Sequence, residues 1–317
     1  MSASTLTEPL PYRDPSVGDL IIRTSDNVDF HIHHRRIADV CPIFADMATL
    51  SDTPSNPISN SGEMEKAVVH VSETSRVWEK LLPICYLAEE PSLALEDIQN
   101  ILEAGRKYAM AGVASRMRMA LLLSDFLEQK PFSVYALACA AGFDDVARLA
   151  ARRTLRFPIY PQDTPEFATV TARALYRLFD YRQRCGIAAS AVVTWRVGST
   201  IRIPAWMSLD YGMLQTCRSD WTGCAAPSFT AALPTGEYEH GFSSSWVTYM
   251  DRLSEQLKAH PDSDLVESPA LLQAVSNSMD KCSTCQKSFY RNAMAFTKII
   301  KDKVNDAIGQ VQLVLEK

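Results

Sequence analysis

The chain has 317 residues, with 32 Lys+Arg against 37 Asp+Glu, a net charge of −5 with histidine neutral. Hydrophobic residues make up 47% and charged residues 22%, a globular balance that excludes a wholly disordered or fibrous chain. The acidic surplus excludes a surface built throughout for nucleic acid, and no stretch reaches the ~18 apolar residues of a spanning helix.

Residues 1–16 hold Pro9, Pro11 and Pro15 with little apolar periodicity, which predicts a flexible tail. Asp19–Thr24 reads as a buried strand, Ser25-Asp26-Asn27 as a turn, and the alternation over Val28–Ile32 as a second strand, so the three form a β-hairpin. From His34 the period becomes helical, with Ile37, Val40, Phe44 and Met47 on one face. The turn formers of residues 51–62 predict an exposed loop. A third strand, Ala67–Val71, precedes a helix with Val77, Leu81, Ile84 and Cys85 on its apolar face. Helices over Leu95–Met110 and Val113–Phe126 follow, hinged near Gly112, and Lys130-Pro131 marks a boundary.

Val134–Ala141 and Asp144–Phe157 read as a helical hairpin turned at Gly142, and Pro165–Arg184 as another helix. Residues 198–245 show no clean period and read as irregular. Helices over Ser245–Ala259 and Ser288–Leu315 close the chain. The last bears Phe289, Phe296, Ile300, Val304, Ile308, Val311 and Leu315 as a stripe, either a seam for a partner or a face docked on its own domain.

The first third carries a residue pattern as well as an element order. Asp19-Leu20-Ile21-Ile22 opens it, then Phe30-His31-Ile32-His33, Arg36-Ile37-Ala38, and Cys41-Pro42-Ile43-Phe44-Ala45-Asp46-Met47. This resembles the BTB/POZ domain, with Asp19, Phe30, His33, Ile37, Ala38, Phe44 and Met47 on the family pattern and Cys41 where serine is commoner. The resemblance covers residues 17–127. Asp19 and His33 are then expected as partly buried groups that find hydrogen bonds, and His31 and His33 as fold residues sharing one strand face. The helical hairpin at 134–157, rich in small residues, resembles the start of the helical extension that often follows such domains. The layout is most similar to the BTB proteins abundant in fungi. The resemblance implies a protein-interaction module that self-associates or docks onto cullin-type ubiquitin ligases. The proline-rich start speaks against dimerisation by exchange of an N-terminal helix.

Four of the eight cysteines fall late: Cys217, Cys224, Cys282 and Cys285. Cys282-Ser283-Thr284-Cys285 is a C-x-x-C turn that supplies two of the four ligands of a tetrahedral structural zinc. Cys217 and Cys224 could supply the others, with His240 or His260 as substitutes, and four unligated thiols are the alternative. The N-terminus lacks a basic start and an apolar stretch, so export is not expected, and reduced thiols or metal ligands are expected over disulfides. Between Arg148 and Arg184 eight arginines face three acids. They read either as a nucleic-acid patch or as solvated helix faces whose stems cover apolar surface. Trp195, Trp206, Trp221 and Trp246 read as packing. Phosphate-cradling, nucleophile-elbow and zincin motifs are missing from the sequence.

The expected fold class is α+β: a flexible tail over 1–16, a BTB/POZ-like domain over 17–127, a helical extension over 131–197, and a C-terminal region over 198–317, irregular then helical. The expected role is a non-enzymatic adaptor or scaffold in the cytoplasm or nucleus, binding protein through its first domain, without a membrane, nucleic-acid or small-molecule partner. A substrate adaptor of a cullin-type ligase is the alternative, and a transcriptional regulator a weaker one.

Overall fold

The computed structural model describes residues 12–50, 66–86, 91–160, 164–207, 211–216, 228–279 and 282–315. The protein is mixed α+β. It divides into two compact units, Met1–Ala147 and Arg148–Lys317. Residues 131–147 of the expected helical extension thus belong to the first unit and 148–197 to the second.

In the first unit, β1 (Leu20–Arg23) and β2 (Asp29–Ile32) form the hairpin, in register from Leu20 opposite Ile32 to Arg23 opposite Asp29. Leu20, Ile22, Phe30 and Ile32 are buried, as period-two alternation requires of a strand with one face in a core. Arg23 grips Asp29 across the pair through two 2.7 Å bonds. Gly18 precedes β1 at φ +71°, where a Cβ would lie 2.1 Å from the Ile32 carbonyl oxygen. Only glycine allows the two backbones to close there.

The single helix expected from His34 is two: α1 (His34–Val40) and α2 (Pro42–Leu50). Pro42 lacks an N–H and pushes the residue before it out of helical backbone, and Cys41 is extended at φ −131°, ψ 99°. Ile37 and Phe44 are buried, but the break turns Val40 outward to 39% exposure. The third strand, β3 (Ala67–His70), pairs parallel to β1, giving the sheet order β2-β1-β3.

Three helices follow, α3 (Ser75–Cys85) packed on α1 and α4 (Leu95–Lys107), and α4 in turn on α5 (Ala111–Leu123). Val77, Leu81, Ile84 and Cys85 are all buried, as the helical spacing predicts, together with Trp78 and Leu82. Phe44, Trp78 and Tyr108 meet with ring centroids 5.7–6.2 Å apart. The short α6 (Phe126–Gln129) leads into α7 (Pro131–Ala141). Every residue of α7 from Pro131 to Ala138 is buried, the mark of a central helix. Gly142 ends α7 in the left-handed region at φ +76°, and the Phe143 N–H reaches back to the Ala138 carbonyl at 2.8 Å.

After α8 (Asp144–Thr154), the second unit is framed by α9 (Ala172–Val193). The expected helix over Pro165–Arg184 therefore begins later and runs nine residues further, beyond a 3₁₀ turn at Pro165–Thr169. The stretch 198–245, expected as irregular, contains a sheet. With β4 (Arg196–Val197), the strands β5 (Thr200–Arg202), β6 (Ser228–Ala232) and β7 (Tyr238–Ser243) run in the order β4-β5-β6-β7, β5 and β6 parallel. β4 and β5 span two and three residues, too short for alternation to register, and the parallel β5–β6 pair joins residues far apart in sequence.

β7 runs directly into α10 (Ser244–Ala259), followed by α11 (Pro269–Met279) and α12 (Ser283–Gly309). Trp246 and Phe296 meet at 4.8 Å between centroids, joined by Tyr249, Phe289 and Trp195. The tryptophans among the described residues of this region are packing, as expected, and Trp221 lies outside the described residues. The stripe of the last helix turns inward: Phe289, Phe296, Ile300, Val304 and Ile308 are buried. The helix stops at Gly309, so Val311 and Leu315 lie beyond it, and Leu313 is buried in their place.

Candidate functional site

In the first unit, polar side chains pin the element ends. The Asp26 carboxylate in the hairpin turn accepts from the Ser75 N–H at 2.9 Å, the Ser75 hydroxyl at 2.6 Å and the Thr24 hydroxyl at 2.5 Å. These bonds tie the turn to the open N–H groups of α3, and the hydroxyl bonds from Ser75 and Thr24 hold the carboxyl down at about 2. Burial alone would raise the Glu73 carboxyl, but Lys107 at 2.8 Å and the Tyr108 hydroxyl at 2.6 Å lower it. Cys41 is buried and donates its thiol to the Tyr108 carbonyl at 3.2 Å. Burial, with Cys41 near, pushes the Cys85 thiol up to about 12.

Three expectations about this unit need correction. Asp19 and His33 are exposed rather than partly buried. Asp19 still finds a bond, accepting from the His34 N–H at 2.6 Å, while the His33 N–H donates to the Tyr86 hydroxyl at 2.9 Å. His31 and His33 do not share a strand face, because β2 ends at Ile32 and His33 is already the residue before α1. Residues 12–16, read from composition as part of a flexible tail, lie along the hairpin. The His31 N–H donates to the Tyr12 carbonyl at 2.8 Å, Tyr12 meets Tyr86 at 5.2 Å, and Arg13 pairs with Glu79 at 2.7 Å over the Phe30 ring.

Of the four cysteines expected to hold zinc, Cys217 and Cys224 lie outside the described residues. Cys282 stands at the N-cap of α12, and Cys285 is buried in its first turn. Among the described residues no group of three or more His, Cys, Asp or Glu is gathered as a metal site would require. Several arginines of the 148–184 stretch are committed to the fold. Arg182, expected on a solvated face, is 2% exposed and donates to the Thr154 and Phe157 carbonyls at the end of α8. Burial lowers its guanidinium to about 10. Arg148 donates to the Leu313 carbonyl and Arg184 to that of Gln312.

The second unit also carries a groove of about 360 Å³ between α11 and α12. Pro269 and Leu272 line one wall, Phe289, Ala293 and Met294 the other. Met294 is 75% exposed. Gln273 and Ser276 edge the α11 side, and Glu267 closes one end, where Lys301 holds it at 2.7 Å and Asp264 at 2.9 Å. Periodicity within the last helix finds Phe289 of the α12 wall but neither Ala293 nor Met294, and it does not reach α11. The signal for α11 is Ser268-Pro269, a capping residue followed by proline at the first helical position, then Leu271 and Val275.

No family model and no curated protein matches the chain. Among the described residues no helix is long and apolar enough to cross a membrane.

Proposed function

We propose that the protein is a non-enzymatic adaptor, built on a BTB/POZ-like first domain and holding protein partners together in the cytoplasm or nucleus. One observation carries this reading. The hairpin β1–β2, a helical stretch split into α1 and α2, and the strand β3 follow one another along the chain, with Phe30, Ile37 and Phe44 in the core, an order that supports the reading. Light scattering on the intact chain, alone and mixed with a cullin N-terminal domain, tests it. A self-associated species or a heavier mixed complex is expected. A monomer that neither joins the cullin domain nor retains a stoichiometric protein in a cross-linked pull-down overturns it. A structural zinc on Cys217, Cys224, Cys282 and Cys285 belongs to the same proposal. Metal analysis on protein purified without chelator should then find close to one zinc per chain, and only a trace would sink that part.

A further inference from the structure

The α11–α12 groove has one charged rim. On α12, Lys287, Arg291 and Lys298 are exposed and fall on one stripe beside Met294, spaced at four, three and four residues. None of the three has an ion-pair partner among the described residues, whereas Lys301, one turn on, is occupied by Asp264 and Glu267. The α11 lining of the groove, Gln273 and Ser276, is uncharged, and the one acid among its lining residues, Glu267, sits at one end and is held by Lys301. A basic rim beside an apolar floor, on a chain whose net charge is −5, selects an occupant of the opposite sign. The lined part of α12, Phe289 to Thr297, is about 12 Å long at the helical rise. That length fits two turns of a helix and two or three apolar anchors. The exposed thioether of Met294 is an adaptable contact for such anchors.

We propose that this groove seats a short acidic amphipathic helix of a partner protein. Its apolar face rests on Leu272, Phe289, Ala293 and Met294, and its carboxylates face Lys287, Arg291 and Lys298. The proposal rests on the adaptor reading and names the chemistry of one partner.

The test uses the intact chain and two labelled Ala-based helical peptides, each with leucines at i, i+4 and i+7. One is flanked by glutamates, the other by lysines, and binding is read by fluorescence anisotropy. The glutamate peptide should bind at least about tenfold more tightly than its twin, and more weakly as salt rises. Met294→Asp, a change at an exposed position, should weaken it about tenfold without moving the thermal melt. Arg291→Glu with Lys298→Glu should reverse the preference between peptides. Equal affinities, indifference to Met294→Asp, or absence of glutamate-peptide binding up to ~1 mM overturns the proposal. So does a dimer of the chain that Met294→Asp dissolves, since the groove would then belong to a second copy. A cullin complex or a stoichiometric pull-down partner that persists in Met294→Asp, with neither peptide bound, would sink the groove and leave the adaptor reading standing.

Discussion

Asp26 lies in a hairpin turn, yet it holds the start of a helix from a distant part of the chain. With its carboxyl at about 2, below the ordinary ~3.9, its contribution is complete above the ordinary value. It is lost as pH falls toward the folded one. Asp26→Asn should therefore melt lower than the parent at neutral pH. The gap should narrow below about pH 4 and close near about pH 2, as circular dichroism melts across that range would show. Arg182 makes a different kind of bond, a buried cation on two carbonyls at a helix end, where the helix dipole favours it. Arg182→Ala takes the guanidinium from the Phe157 carbonyl, leaves the Thr154 carbonyl with the Phe157 N–H alone, and opens a void. We expect a loss of about 3 kcal/mol in urea unfolding, with Arg182→Lys recovering only part because an ammonium lacks the fork that spans two acceptors.

At the scale of elements, close approach matters more than propensity. Gly186, in the middle of α9, stands where a Cβ would lie 2.5 Å from the Lys258 carbonyl oxygen of α10. Gly186→Ala improves helix propensity by about 1 kcal/mol and still should destabilise, by roughly 1–3 kcal/mol of overpacking, measurable by denaturant titration. The sequence shows that Gly186 is a glycine in a small-residue run but not what it faces. The same division runs through the fold. The hairpin, α3 and the inward stripe of α12 are legible because each buries one face at a fixed period within a few turns of chain. The break at Cys41 is written in Pro42, a one-residue signal outweighed by the apolar spacing around it. The β4–β7 sheet is not legible, because Ile201 finds Ala231 thirty residues away and β5, at three residues, is too short to announce itself. For the candidate site, the spacing of the inward stripe reaches Phe289 alone of the α12 wall. The groove cannot be read from spacing, since it exists only where α11 lies alongside.

At the scale of the whole molecule, the net charge and the charge beside the groove differ in sign. The chain is acidic overall, yet the outer stripe of α12 is cationic beside the groove, so association there should weaken with salt while apolar association through other surfaces should not. The segment at residues 12–16 bears on a separate property of the molecule, its solubility. β2 is an edge strand, and edge strands with open N–H groups recruit other strands. Here the Tyr12 carbonyl takes the His31 N–H, and the Arg13 guanidinium roofs the Phe30 ring at 4.3 Å. These few residues act as a guard against edge-to-edge aggregation. A chain shortened to begin at Val17 should keep the sheet and lose the guard. Its secondary structure by circular dichroism should be retained while turbidity and scattering rise with concentration, and a shortened chain that stays as dispersed as the parent would show that the edge needs no cover.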